Sequence, residues 1–61
     1  MIINNMPDYA YNHKFIVYIV VDGENWFYGA YDDVSKAMAS MVFCGGMIAE
    51  AKDVNGGECD V

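Results

Sequence analysis

Arginine is absent from this chain, and cations of any kind are scarce. Three lysines stand against nine aspartates and glutamates, which gives a net charge of −6 at pH 7. Contacts with nucleic-acid phosphates and with anionic membranes need clustered cations, so this balance argues against both kinds of partner. The simpler interpretation of the acidity is that it keeps an apolar-rich protein in solution. The alternative is that it meets a basic surface on a partner protein.

Long hydrophobic runs are also missing. The longest is the seven residues 15–21, far short of the about 20 needed to cross a bilayer, and the start, MIINNMPDY, has no signal-peptide pattern. We therefore expect a cytoplasmic protein in which Cys44 and Cys59 are free thiols, with a disulfide between them as the alternative. A chain of 61 residues forms one domain (1–61), whose stability is marginal without a staple or an assembly partner.

The sequence contains no complete metal-binding motif. Asp22, Glu24 and Asp33 fall at the first, third and twelfth positions of a calcium-loop spacing. However, Phe27 stands where that loop needs glycine, and its twelfth ligand should be a bidentate glutamate. Two cysteines and one histidine without a CxxC pair do not provide a structural zinc site. We predict no metal and no cofactor.

Catalytic patterns are equally sparse. A Cys44 nucleophile with His13 as its base is the one enzymatic alternative that the sequence leaves open. The simpler interpretation is a buried cysteine that closes a helix and a solvated histidine near the start of the chain. We therefore predict no catalytic residues.

Two β-rich stretches, FIVYIVV and WFYGAY, are joined by the turn signal DGEN. This pattern predicts a β-hairpin with a two-residue turn. Alternate residues of a strand point to opposite sides, so the hairpin has two faces, and both are apolar. Face A is predicted to carry Phe15, Val17, Ile19, Val21, Trp26, Tyr28 and Ala30. Face B is predicted to carry Ile16, Tyr18, Val20, Phe27, Gly29 and Tyr31.

A helix is predicted to follow, from Val34 to about Cys44, with Asp32 or Asp33 as its cap and Gly45-Gly46 at its end. Its apolar stripe is predicted to be Val34, Ala37, Met38, Met41 and Val42. Residues 47–54 are predicted as a third strand, with a helix as the alternative. The expected fold is a small α+β domain of ββαβ order, with a three-stranded antiparallel-type sheet in the order 2-1-3. Residues 1–14 are expected to be an extended lead-in, and residues 55–61 a frayed tail.

A single helix covers only one face of such a sheet. Face A is bulkier, so we assign it to the helix and expect face B to contact another molecule, in a homodimer or a tight heteromer. The predicted protein interface is Ile16, Tyr18, Val20, Phe27 and Tyr31, with Phe43 as a separate patch on the helix. The predicted acidic rim is Asp22, Glu24, Asp32, Asp33 and Asp53, extended by Glu58 and Asp60.

These features favour a non-enzymatic acidic binding protein that occludes a basic surface of a larger host protein. In size, charge and absence of catalytic motifs the chain resembles the small inhibitors that phages encode against host enzymes and defence systems. The alternative is a small homodimeric structural protein with no inhibitory role. A third possibility, from the enzyme class, is the Cys44-dependent thiol activity.

Overall fold

The computed structural model describes residues 1–56 and shows a three-stranded sheet with one helix packed against it. Its elements in chain order are a 3₁₀ turn at Asp8–Asn12, β1 (Phe15–Val21), β2 (Glu24–Tyr31), α1 (Val34–Cys44), β3 (Met47–Glu50) and a second 3₁₀ turn at Ala51–Asp53. The strands lie in the order β2-β1-β3, and β1 is antiparallel to both neighbours. The predicted α+β fold and strand order are confirmed.

The hairpin turn consists of Asp22 and Gly23 alone. Both have positive φ, of 54° and 81°, as a type I′ turn requires. Glycine adopts this conformation without a Cβ penalty, and aspartate tolerates it better than most residues. Because the turn is this short, β2 starts at Glu24, two residues before the predicted WFYGAY stretch.

A β-bulge at Tyr28 changes which residues share a face. Val17 lies opposite Gly29, but the next residue, Tyr18, lies opposite Phe27, so Tyr28 is left without a partner. From Gly29 to Tyr31 each residue therefore lies on the opposite face of the sheet from the one predicted. The predicted faces are therefore wrong at the end of β2, since Gly29 and Tyr31 belong to face A and Ala30 belongs to face B.

Helix α1 begins and ends where the sequence predicts. The Asp33 side chain caps it by accepting a hydrogen bond from the Ser35 N–H at 2.8 Å, and Gly45 ends it in the left-handed conformation with φ 70°. The helix packs on face A, where the Tyr31 hydroxyl donates to Ser40 Oγ at 3.0 Å. The Tyr31 ring lies over Gly29, where a Cβ atom would come within 2.6 Å of its hydroxyl oxygen.

The helix is rotated relative to the predicted stripe by roughly a quarter turn. Its sheet-facing side has the spacing i, i+3, i+4, i+7 and is formed by buried Ala37 with the part-buried Ser40, Met41 and Cys44. Val34, Met38 and Val42 are exposed instead. The Tyr31–Ser40 hydrogen bond explains the rotation, because it holds the polar Ser40 on the side of α1 that faces the sheet. The small Ala37 side chain lets the helix pack closely on the same side.

Face B is covered by the chain's own ends, so the prediction that it needs another molecule is wrong. The lead-in is not simply extended, because it forms the first 3₁₀ turn and Asn4 pairs beside β2. The Asn4 N–H donates to the Asn25 carbonyl at 2.8 Å, and the Phe27 N–H donates to the Asn4 carbonyl at 3.0 Å. The buried cluster on this face comprises Ile3, Ala10, Ile16, Tyr18, Ala51 and Val54.

The predicted third strand is shorter than residues 47–54. Pairing with β1 ends at Glu50, opposite Phe15, and the chain then turns through Ala51–Asp53. This turn brings the apolar Ala51 and Val54 into the face-B cluster, which a continued strand at the sheet edge would not do. Burial of two apolar side chains thus explains the early end of β3.

Asn55 ties the two ends of the covering layer together. Its side-chain oxygen accepts from the Ile3 N–H at 2.9 Å, and its Nδ2 donates to the Ile3 carbonyl at 3.1 Å and to the Tyr11 hydroxyl at 2.8 Å. Its own N–H donates to the Met1 carbonyl at 2.7 Å. The predicted frayed tail is therefore wrong at Asn55, and the part of it from residue 57 to 61 lies outside the described residues.

Candidate interaction surface

Most of the predicted face-B interface is not available to a partner. Ile16 and Tyr18 are buried in the cluster beneath the lead-in, and the Tyr18 hydroxyl lies 3.9 Å from Met47 Sδ. Tyr31 lies on the opposite face, against α1. The structure therefore contradicts the predicted interface at these three residues, because their contacts are made within the chain.

The other three predicted interface residues lie apart from one another. Val20 is exposed near the hairpin turn. Phe27 is part-buried, and the ring of Tyr9 meets it edge-on with the ring centroids 6.5 Å apart. Phe43 is 84% exposed on α1. Of the predicted set, Phe43 is therefore the large side chain most open to a partner.

Four large apolar side chains on α1 are exposed, Phe43 among them. The residues of this helix patch are Val34, Met38, Val42 and Phe43. Val42 is 73% exposed, and Val34 and Met38 are about half exposed. Val34, Met38 and Val42 follow one another at intervals of four residues along one side of α1, and Phe43 lies about 100° further round the helix, next to Val42. Their exposed surfaces together amount to on the order of 400 Å². The predicted apolar stripe is wrong at Val34, Met38 and Val42, which it places against the core, whereas Phe43 is exposed as its position outside the stripe indicates.

Acidic side chains are distributed over several parts of the surface. All seven acidic residues of the described chain are exposed. Asp22 and Glu24 flank Val21 and Trp26 in a shallow hollow of about 300 Å³ at the hairpin turn. Asp32 and Asp33 precede α1, at the opposite end of β2. Asp53 lies in the second 3₁₀ turn and not at the end of β3, where the acidic residue is Glu50. Glu58 and Asp60 lie outside the described residues.

Asp32 has a structural role that the sequence did not reveal. One of its oxygens accepts from the Lys14 N–H at 3.0 Å, and the other lies 3.2 Å from His13 Nδ1. The Lys14 N–H lowers the pKa of this carboxyl most, desolvation opposes the change, and His13 lowers the pKa further. Asp32 thereby fastens the end of the lead-in to the junction between β2 and α1.

This contact predicts a pH-dependent contribution to stability. The folded-state pKa of Asp32 lies below 3.8, so its contribution is present above pH 3.8 and is lost as the pH falls through the folded value. We expect Asp32→Asn to lower the melting temperature at neutral pH, and the difference from wild type to shrink in acid. Thermal melts across the acidic range test this. Asp8→Asn, at an exposed position outside these contacts, is the control, and an unchanged difference at all pH values contradicts the prediction.

Cys44 and His13 are not brought together. His13 contacts Asp32, two residues before α1 begins, whereas Cys44 is the last residue of this 11-residue helix. Such a helix is about 16 Å long, so the thiol and the imidazole are held at its opposite ends. Cys44 Sγ instead donates to the Met41 carbonyl at 3.7 Å. Cys59 lies outside the described residues.

Residues 1–56 hold neither a cluster of metal-binding side chains nor a membrane-spanning helix. No group of three or more histidine, cysteine, aspartate or glutamate side chains is arranged to hold a metal ion in this part of the chain. Asp22 and Asp33, which suggested a calcium spacing, lie at opposite ends of β2. Among the described helices, none has the length and apolar character needed to span a membrane.

Known proteins offer no guide to this surface. No family model matches the chain, and no curated protein and no solved structure matches it. The helix patch and the exposed acidic residues are therefore the surface features that bear on function.

Proposed function

We propose that this chain is a non-enzymatic binding protein that docks through the helix patch onto a basic surface of a larger protein and acts by occlusion. The observation that carries the proposal is Phe43, a large aromatic side chain 84% exposed on a helix. Aromatic side chains are enriched in the cores of protein interfaces, where a few of them contribute most of the binding energy. Burial of Phe43 and Val42 by a partner removes the most exposed part of the patch from water.

The helix that carries the patch is fixed at both ends and along the side that faces the sheet. Asp33 caps its first turn and Gly45 ends it, and buried Ala37 packs its inner side against the sheet. A patch on a packed helix keeps its shape in the free protein. Binding therefore costs little ordering entropy, which suits a small inhibitor or modulator.

Charge supports a basic protein as the partner rather than a second copy. Each chain has a net charge of −6, so two copies repel one another at long range. A standard interface buries about 800 Å² on each side, roughly twice the helix patch, so the contact has to include its polar surroundings. Asp32 and Asp33, next to the patch in sequence, supply negative charge that attracts a basic partner and speeds association.

The biological setting that we propose is the cytoplasm of a host cell, with the chain acting as a phage-type antagonist of a host enzyme or defence protein. Small size, an acidic surface and exposed apolar side chains on α1 suit a protein that covers the working surface of a larger one. A reducing compartment keeps the Cys44 thiol free.

Capture experiments with matched variants test the proposal. Immobilised wild-type chain should retain basic proteins from a host lysate at low salt and release them as salt rises, because rim charges are screened. Phe43→Ser should lose those proteins, with retention lower by about tenfold or more, the range typical of an interface hot spot. Mass spectrometry of the retained proteins provides the measurement.

Ile2→Ser is the matched control, because Ile2 is also an exposed apolar residue, at 67%, but lies outside the helix. It should retain the same proteins as wild type. Equal retention by Phe43→Ser contradicts the proposal. If light scattering shows that the wild type is a dimer and Phe43→Ser a monomer, the homodimeric alternative replaces it.

A further inference from the structure

A groove of about 390 Å³ lies on a part of the molecule that the helix patch does not include. It opens where the end of the first 3₁₀ turn, the start of β1 and the end of β3 meet. Its lining residues are Tyr11, His13, Lys14, Phe15, Glu50, Ala51 and Lys52. The Ala51 N–H donates to the Lys14 carbonyl at 3.0 Å, which joins the two main-chain walls.

The cations of this acidic chain gather around that groove. Two of its three lysines and its only histidine line it, although the chain as a whole has a net charge of −6. Lys52 Nζ lies 3.4 Å from Glu50 Oε1, but both side chains are more than half exposed, and such surface pairs contribute little. Lys14 forms no ion pair with any residue from 1 to 56. Both ammonium groups are thus free to turn toward a ligand.

The walls between the two lysines are apolar. Tyr11 and Phe15 present aromatic rings that are only partly covered, and Ala51 is small and buried. The Tyr11 hydroxyl is held by Asn55 Nδ2 at 2.8 Å, so this ring is positioned before any ligand arrives. A volume of about 390 Å³ lies at the lower end of the range for small-molecule sites.

We propose that this groove binds a small anion with a flat apolar body, such as an aromatic carboxylate or phosphate monoester. The apolar body packs against Tyr11, Phe15 and Ala51, and the anionic group accepts charge-assisted hydrogen bonds from Lys14 and Lys52. Glu50 competes for Lys52, so it has to turn away when the ligand binds. The site is independent of the helix patch and of the function proposed for it.

Phenyl phosphate is the probe that tests the proposal, followed by amide chemical shifts of the full chain. We expect shifts at Tyr11, Phe15 and Ala51 with a millimolar dissociation constant. Phenol and inorganic phosphate, each with one half of the recognised chemistry, should bind more weakly than phenyl phosphate. Lys14→Ala and Lys52→Ala should each weaken binding about fivefold, as expected for one partly screened charge.

Lys36→Ala is the matched control, since Lys36 is the third lysine and lies on α1 outside the groove. It should leave the affinity unchanged. The proposal is overturned if Lys36→Ala weakens binding as much as the other two, if the shifts map to the helix patch, or if phosphate alone binds as well as phenyl phosphate. Absence of any shift at about 10 mM probe also overturns it.

Discussion

Replacing Asn55 with alanine should lower the free energy of unfolding by about 3 kcal/mol, from loss of its hydrogen bonds and from backbone strain. The Ile3 N–H and carbonyl lose their Asn55 side-chain partners at a residue that is only 2% exposed. Asn55 also has φ 51°, which alanine adopts less readily. A core of this size rarely supplies more than about 3–5 kcal/mol, so the variant should be largely unfolded at physiological temperature.

Thermal melts and amide exchange provide the measurement. If the variant stays folded, exchange should accelerate first at Ile3 and Asn4, because Asn55 fastens the lead-in over face B. Asn55→Gly separates the two effects, since glycine lacks the side chain but tolerates the positive φ. Asn12→Ala, at an exposed position outside this network, is the control. A melting temperature for Asn55→Ala close to that of Asn12→Ala contradicts the prediction.

Replacing Gly46 with alanine should have a similarly large effect, of about 3 kcal/mol or more. A Cβ atom there would overlap the Tyr18 carbonyl oxygen, which belongs to the backbone of the central strand, and would lie 3.0 Å from Cys44 Sγ. The Gly46 N–H donates to the Met41 carbonyl at 2.9 Å, so the residue cannot move without breaking the end of α1. Relief therefore requires β3 to separate from β1.

Denaturant titrations of two companion variants check this explanation. In Gly29→Ala the new Cβ meets the far end of the Tyr31 side chain, which can turn aside, so the loss should be smaller. Removing the sulfur in a Cys44→Ala, Gly46→Ala double variant should not restore stability, because the clash with the Tyr18 carbonyl remains. Recovery in the double variant, or a larger loss for Gly29→Ala than for Gly46→Ala, contradicts the prediction.

The prediction of the interface failed at the lead-in, and the reason is physical. Residues 1–14 have no helical or strand period, so nothing local indicates that Ile3 and Ala10 pack on face B. Their position depends on polar contacts with residues more than forty positions away, such as those from Asn55 to Ile3 and Tyr11. Periodicity reports only on neighbours in sequence and carries no signal for such contacts.

The helix patch was missed for a related reason. An apolar stripe was predicted at Val34, Met38 and Val42, and stripes of this kind usually face a core. The rotation of α1 depends instead on Tyr31, whose facing is reversed by the bulge at Tyr28 and whose hydroxyl then holds Ser40. A bulge inserts one extra residue into a strand, and Tyr28 is an ordinary strand residue, so the sequence does not indicate that a bulge forms there.

By itself the sequence determined the elements whose causes are local. The β-branched run of β1, the Asp22-Gly23 turn, the Asp33 cap and the Gly45 end each follow from backbone preferences of single residues, and the hydrophobic β1 correctly indicated the centre of the sheet. Only the tertiary structure decided which apolar surface stays exposed. All segments of the chain compete to be buried against the same sheet faces. The lead-in and the second 3₁₀ turn cover face B, and the outer side of α1 remains uncovered.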